Sequence, residues 1–162
     1  MGLRPPLTIT INVPLTFNES ERRRVGKLAI DHIRDRSKRG LGVGGQRLRG
    51  PDGDGKYSQS YKNSAEFKAV GKTGSRVNLT FSGEMLFAME IESTRPGQVI
   101  IGFGDDEENN DKAAFLKEKN YDFFGLSQSE EQEIIKRAGV NAEVAEISDT
   151  LISNFLRDLF RG

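Results

Sequence analysis

Between Val77 and Met89 the chain changes period, and that change fixes the fold class more tightly than any other stretch. Val77, Leu79 and Phe81 alternate with Asn78, Thr80 and Ser82, the two-residue period of a strand with one buried face. Ser82 then suits a helix N-cap, and Glu84 places a carboxylate in the first turn, where the helix dipole favours it. Met85, Leu86 and Met89 follow on one helical face. A strand, a sharp turn and a short helix that all present apolar faces require one shared core of mixed α and β character.

The rest of the chain supplies partners for that unit. Leu7 to Val13 alternates strictly, with Leu7, Ile9, Ile11 and Val13 on one side, and prolines at 5, 6 and 14 bound it as an edge strand or arm. Asn18 or Ser20 caps a helix that runs to about Lys38, and Asn18 with Glu21 has capping-box spacing. Its apolar stripe is Val25, Leu28, Ala29, His32 and Ile33; its other face carries Arg22, Arg23, Arg24, Lys27, Arg34, Arg36, Lys38 and Arg39. Lys56 to Val70 reads as partly helical, with Tyr57, Tyr61, Ala65 and Ala69 spaced by four. A second strand begins at Ile91, Thr94–Gly97 is a type II turn, and the apolar Val99–Phe103 returns as a central strand. A helix is expected over Lys112–Lys119, led by the acidic loop 105–111. Ser127 and Glu130 form a capping box into a helix ending near Ala138, with Gly139 as its stop and 141–144 as a linker. A last amphipathic helix spans about Ala145 to Phe160, with Ile147, Leu151, Phe155 and Leu159 in one row.

The expected architecture is α+β: a small, mostly antiparallel sheet packed against helices, with an N-terminal strand, a long basic helix and C-terminal helices. The 162 residues suit one domain, with residues 1–17 as a strand or arm, 40–56 as a flexible basic Gly-rich loop and 145–162 as the terminal helix. Absence of cysteine removes disulfides, thiol nucleophiles and cysteine metal sites. No apolar run is long enough to span a bilayer, so no membrane partner is expected. The first residues fit neither a signal peptide nor a myristoylation pattern.

Charge is balanced overall but not along the chain. Residues 1–76 hold 16 basic and 7 acidic side chains, net +9; residues 77–162 hold 8 and 17, net −9. Such a split suggests either two faces suited to head-to-tail self-association, or a basic face for nucleic acid. A compact domain that mixes the halves would cancel it.

Several chemical motifs are present in outline only. Gly40, Gly42 and Gly45 satisfy G-x-G-x-x-G but follow a helix rather than a strand. Gly50, Gly55 and Lys56 match most of a phosphate-binding loop, with Tyr57 where Ser or Thr is needed. Gly71-Lys72-Thr73 has the other end of that motif, with Glu66 in place of its first glycine. Asp52 and Asp54 begin a calcium-like loop that Lys56 breaks. The loop is read more simply as a mobile arm presenting Arg47, Arg49 and Lys56 to a partner or a phosphate backbone. The lone His32 falls on an apolar stripe as a core residue, and Tyr57 and Tyr61 as loop anchors rather than acids. The run 105–111 is a solvated or docking surface rather than a cation site. No catalytic residue, metal or cofactor is expected, and a hydrolase or nuclease is the least favoured class.

Five stretches occur in order: the basic helix, R-G-P-D-G-D-G-K-Y-S-Q-S-Y (49–61), G-K-x-x-x-x-V-N-L-T-F-S-G-E-M-L (71–86), V-I-I-G-F (99–103) and D-F-F-G-L-S-x-x-E (122–130). From about residue 20 to 138 this set resembles the tailed-phage virion morphogenesis family, the tail-completion or neck proteins. The resemblance implies a non-enzymatic ring subunit at the head–tail junction, a neck, tail-completion or tail-terminator protein assembled in the host cytoplasm. It implies a hexameric or dodecameric ring of this chain, flanked by portal, adaptor or tail-tube proteins, with non-specific contact to packaged DNA. Candidate DNA or partner contacts are then Arg47, Arg49 and Lys56, and candidate subunit contacts Arg22, Arg23, Asp105, Asp106, Glu107 and Glu108. The alternative is a nucleic-acid-binding module built on residues 22–56, since 22–49 alone holds 10 basic and 2 acidic side chains.

Overall fold

The computed structural model describes residues 5–50, 53–57, 59–69 and 84–159; the side chains of 66 and 140–153 are outside that description. The Val77–Phe81 strand, the Ser82 cap and the motif ends at Pro51, Asp52 and Gly71–Thr73 therefore lie outside the described residues.

The described sheet has three antiparallel strands, β1 (Ile9–Asn12), β2 (Glu90–Arg95) and β3 (Gln98–Gly102), in the order β1-β3-β2. The apolar β3 is central, as its composition predicts, with Val99 and Ile101 fully buried. β1 is at the edge of this sheet, pairing Ile9 with Ile101 and Ile11 with Val99. The β2–β3 turn depends on Gly97 at φ 79°, the left-handed position that the Pro96-Gly97 pair supplies. β2 starts at Glu90, one residue before the expected position, and carries a register shift between Ile91 and Ser93.

Helix α1 (Glu19–Lys38) lies on one face of the sheet. Asn18 caps it through the expected box: its Oδ1 accepts the Glu21 N–H at 2.9 Å, and Glu21 accepts the Asn18 N–H at 2.7 Å. Gly26 sets the approach distance, because a Cβ there would stand 2.6 Å from Ile91 Cδ1. Val25, Ala29 and Ile33 are fully buried, but the stripe then continues through Arg36 and Ser37, while Leu28 and His32 are only half-buried. Arg36 therefore belongs to the interior, not to the solvated basic face.

Two short turns, α2 (Gln59–Lys62) and α3 (Ala65–Ala69), realise the partly helical stretch. Tyr57, Tyr61 and buried Phe67 form an aromatic cluster with centroids 5.3–5.5 Å apart. Helix α4 (Glu84–Phe87) buries Met85 and Leu86, and Met89 follows into the same core. A helix of one turn leaves its carbonyls unpaired. Arg34 of α1 satisfies two of them and one just beyond, donating to the carbonyls of Leu86, Phe87 and Met89 at 2.7, 3.0 and 3.3 Å.

Helix α5 (Glu107–Glu118) starts five residues earlier than expected. Asp106 caps it by accepting the Asn109 N–H at 3.0 Å, and Glu107 and Glu108 lie in its first turn, so most of the supposed acidic loop, from Glu107 on, is helix. Phe103, Phe124 and Phe123 then stack in the core at centroid distances of 5.1 and 6.0 Å. Helix α6 (Gln128–Leu159) is continuous over 32 residues: neither the stop at Gly139 nor the linker at 141–144 is present. A helical glycine costs only about 1 kcal/mol relative to alanine, too little to end a helix by itself. Gly139 is also a contact, since a Cβ there would meet Phe17 at 3.5 Å.

Candidate functional site

Helix α1, the Gly-rich segment and the start of α6 meet at Glu130. The residue is the third position of α6, where its capping-box role turns it back toward the chain entering the helix. Glu130 Oε2 accepts the Ser127 N–H at 2.8 Å, while Ser127 Oγ accepts the Glu130 N–H at 3.2 Å. The same oxygen accepts from Arg36 at 2.7 Å and from the Gly44 N–H at 3.2 Å. Its other oxygen pairs with His32 Nε2 at 2.9 Å. The side chains of Arg36 and Glu130 are only 2 and 12 % exposed, so this ion pair is an interior one.

Arg36 extends the hub. Its second terminal nitrogen donates to the Phe123 carbonyl at 2.8 Å and to the Gly125 carbonyl. It therefore shapes the F-F-G-L turn as well as neutralising Glu130. Burial by itself raises the Glu130 pKa; the bonds from His32, the Ser127 N–H, Arg36 and the Gly44 N–H outweigh burial and lower it to about 2. Glu131 next to it has only the burial effect, and its pKa is raised. His32 is thus no enclosed core histidine: its side chain is 36 % exposed and has a carboxylate partner from α6.

The Gly-rich segment folds back over this hub. Leu41 and Arg47 form an antiparallel bridge, Gly42 N–H donates to the Gln46 carbonyl at 2.7 Å and Leu48 N–H to the Gly40 carbonyl at 2.9 Å. Val43–Gly45 is a 3-10 turn, and Leu48 is buried. Over 40–50 the segment is a folded loop anchored by Leu48, rather than an extended arm. Gly42 is required by contact: a Cβ would be 2.2 Å from the Asp122 carbonyl oxygen, which accepts the Val43 N–H at 2.8 Å.

This folding presents Arg47 and Arg49. Both are exposed and line a cleft of about 400 Å³ whose walls include Gly42, Gln46, Asn120 and Asp122. Lys56 is exposed too, its N–H held by Asp54 at 2.9 Å.

The expected subunit contacts are separate. Arg22 donates to the Phe17 carbonyl at 2.7 Å, and Arg23 pairs with Glu19 at 2.8 Å. Asp105, Asp106, Glu107 and Glu108 are exposed around the start of α5. Hydrogen bonds from the Asn109 side chain and N–H lower the Asp106 pKa. Glu108 pairs with Lys112 at 2.6 Å and raises the lysine. No ion pair joins the Arg22–Arg23 pair to these carboxylates among the described residues. No group of three or more His, Asp or Glu side chains with the spacing to hold a metal occurs among the described residues.

Arg36, Glu130 and Gly44 are the site residues that sequence reading passed over. A signal was present for two of them. Arg36 stands three residues after Ile33, the spacing that continues the Val25–Ala29–Ile33 stripe, and Glu130 was already fixed in direction by its capping box. In comparisons with known proteins, no family model, curated protein or solved structure matches the chain.

Proposed function

We propose that the chain is a non-enzymatic structural virion protein of a tailed phage, a ring-forming neck, tail-completion or tail-terminator subunit at the head–tail junction. One observation carries the reading. Arg36 of the basic helix and Phe123, Gly125, Ser127 and Glu130 of D-F-F-G-L-S-x-x-E, which carry the sequence resemblance, converge in one buried hub. The motif thus acts as an internal brace that orients three elements and the loop bearing Arg47 and Arg49. A ring built from heterologous contacts closes only if each subunit holds its two contacting surfaces in a fixed relation, which such a brace supports.

The test is a nonsense mutation in the phage or prophage that encodes the chain, followed by electron microscopy of lysates. The expected result is DNA-filled heads and tails that fail to join, rescued by the chain supplied from a plasmid. Normal infectious particles would overturn the reading.

A second reading, non-specific DNA contact, is favoured by the exposure of Arg47, Arg49 and Lys56. Its expected signature is DNA affinity that falls with salt, each phosphate contact contributing about 0.9 to the log–log slope. Replacing both arginines by glutamate should abolish that affinity and leave the fold intact; unchanged affinity would remove the loop from consideration.

A further inference from the structure

We propose, on the premise of the DNA contact above, that Arg39 at the end of α1 joins Arg47, Arg49 and Lys56 in one cationic surface, and that this surface takes the phosphate backbone of nucleic acid. Main-chain hydrogen bonds bring the residues together. Leu48 N–H donates to the Gly40 carbonyl at 2.9 Å and Leu41 bridges Arg47, so 47–49 runs antiparallel beside 39–41, with Arg49 opposite Arg39. Gly55 N–H donates to the Arg49 carbonyl at 3.1 Å, which sets Lys56 beside Arg49. Leu48 is buried while Arg47 and Arg49 on either side of it are exposed, the alternation of an extended segment. Arg47 and Arg49 therefore leave the same face, about 7 Å apart at their bases. Arg39 and Lys56 are exposed as well.

Like charges gathered in this way repel unless anions answer them. Among the described residues none does. The side chains of Arg47, Arg49 and Lys56 have no ion pair or hydrogen bond there, and Arg39 has only its Nε on the Asp35 carbonyl at 3.4 Å. The exposed carboxylates nearby, Asp35, Asp54 and Asp122, pair with none of the four; Asp54 accepts the Lys56 main-chain N–H instead. The rest of α1 differs: Arg23 is held by Glu19, and Arg24, Arg34 and Arg36 end on carbonyls.

The surface is also set before any partner arrives. Gly44 N–H on Glu130, Val43 N–H on the Asp122 carbonyl and buried Leu48 hold the loop, so binding does not have to order it. Guanidinium groups suit phosphate oxygens, which they bind through paired N–H groups. Gly42, Gly50 and Gly53 in the cleft walls carry no side chain to bar a sugar–phosphate strand. A fixed row of cations favours a polyanion whose charges recur at a fixed interval, as phosphates do, over a flexible acidic peptide.

The experiment is fluorescence anisotropy of the full chain against a short labelled duplex of arbitrary sequence, from about 50 to 200 mM salt. Four phosphate contacts predict a log–log slope of about −3.6 for the wild type. Arg39→Gln should flatten the slope by about 0.9, as Lys56→Gln should, and Arg39→Lys should keep the wild-type slope. Lys27→Gln removes an exposed cation about three turns earlier on α1 and should leave the slope unchanged. Should Arg39→Gln melt below the wild type by circular dichroism, Lys56→Gln carries the same slope test. DNA affinity that Arg47→Glu with Arg49→Glu abolishes but Arg39→Gln leaves unmoved would overturn this surface and leave the DNA contact standing. A slope that Lys27→Gln flattens equally would overturn it too. A wild type without DNA affinity would overturn the DNA contact itself, and equal salt-sensitive affinity for polyglutamate would overturn the assignment to phosphate.

Discussion

The arginines of α1 and those of the Gly-rich loop are the same residue type, within thirty residues of sequence, and the fold uses them differently. Arg24, Arg34 and Arg36 end on main-chain carbonyls of Ala138, Leu86, Phe87, Met89, Phe123 and Gly125, all from the second half of the chain. Arg47 and Arg49 are exposed on a cleft wall. Arg24, Arg34 and Arg36 are therefore structural cement: they tie the +9 half of the chain to the −9 half through neutral carbonyls, and Arg36 through Glu130 as well. The charge available to a partner is smaller than the sequence tally and is shared between Arg47, Arg49 and Lys56 of the loop and Lys27, Lys38 and Arg39 of α1.

Mutation should separate the two groups, and Arg36 should show the largest effect. Arg36→Met leaves Glu130 buried without its cation and should destabilise the chain by about 3–5 kcal/mol in urea titrations. An Arg47→Met variant with a similar loss would break the comparison. Arg34→Ala removes a charged donor from three carbonyls and should cost about 1.5–3 kcal/mol, again read from the denaturation midpoint. Arg23→Ala should cost no more than about 0.5 kcal/mol, since its pair with Glu19 is exposed. Arg47→Ala with Arg49→Ala should shift the melting midpoint least, within about 0.5 kcal/mol of stability, while removing any salt-dependent DNA affinity.

What the sequence disclosed was whatever depends on local pattern. Alternation marked β1 and β3, and the Asn18–Glu21 and Ser127–Glu130 boxes marked the starts of α1 and α6, because caps and periods act within a few residues. The start of α5 was misplaced because an acidic run reads as loop until Asp106 is recognised as its cap. Gly139 misled for a related reason: a glycine is a stop only where the chain turns left-handed, and here it continues as helix beside Phe17. The hub depended on tertiary contact. An arginine counts as polar in any periodicity, so Arg36 was placed with the basic face although its spacing put it in the apolar stripe. The exposure of Arg47, Arg49 and Lys56 was anticipated, whereas the folded loop that presents them was not, since it is fixed by Leu48 and the Asp122 carbonyl.

The claim at the centre of this account is that Glu130, held ionised by Arg36, His32 and two main-chain N–H groups, fastens the fold. Its pKa is lowered from 4.5 to about 2. A depressed carboxylate stabilises the folded state fully above its unfolded pKa, and that contribution is lost as the pH falls through the folded value. The direct measurement is urea denaturation of the wild type and Glu130→Gln from pH 7 down to pH 2. The account predicts a wild type markedly more stable at neutral pH, with the gap narrowing from about pH 4.5 downward. A gap that stays constant over the whole range would contradict it.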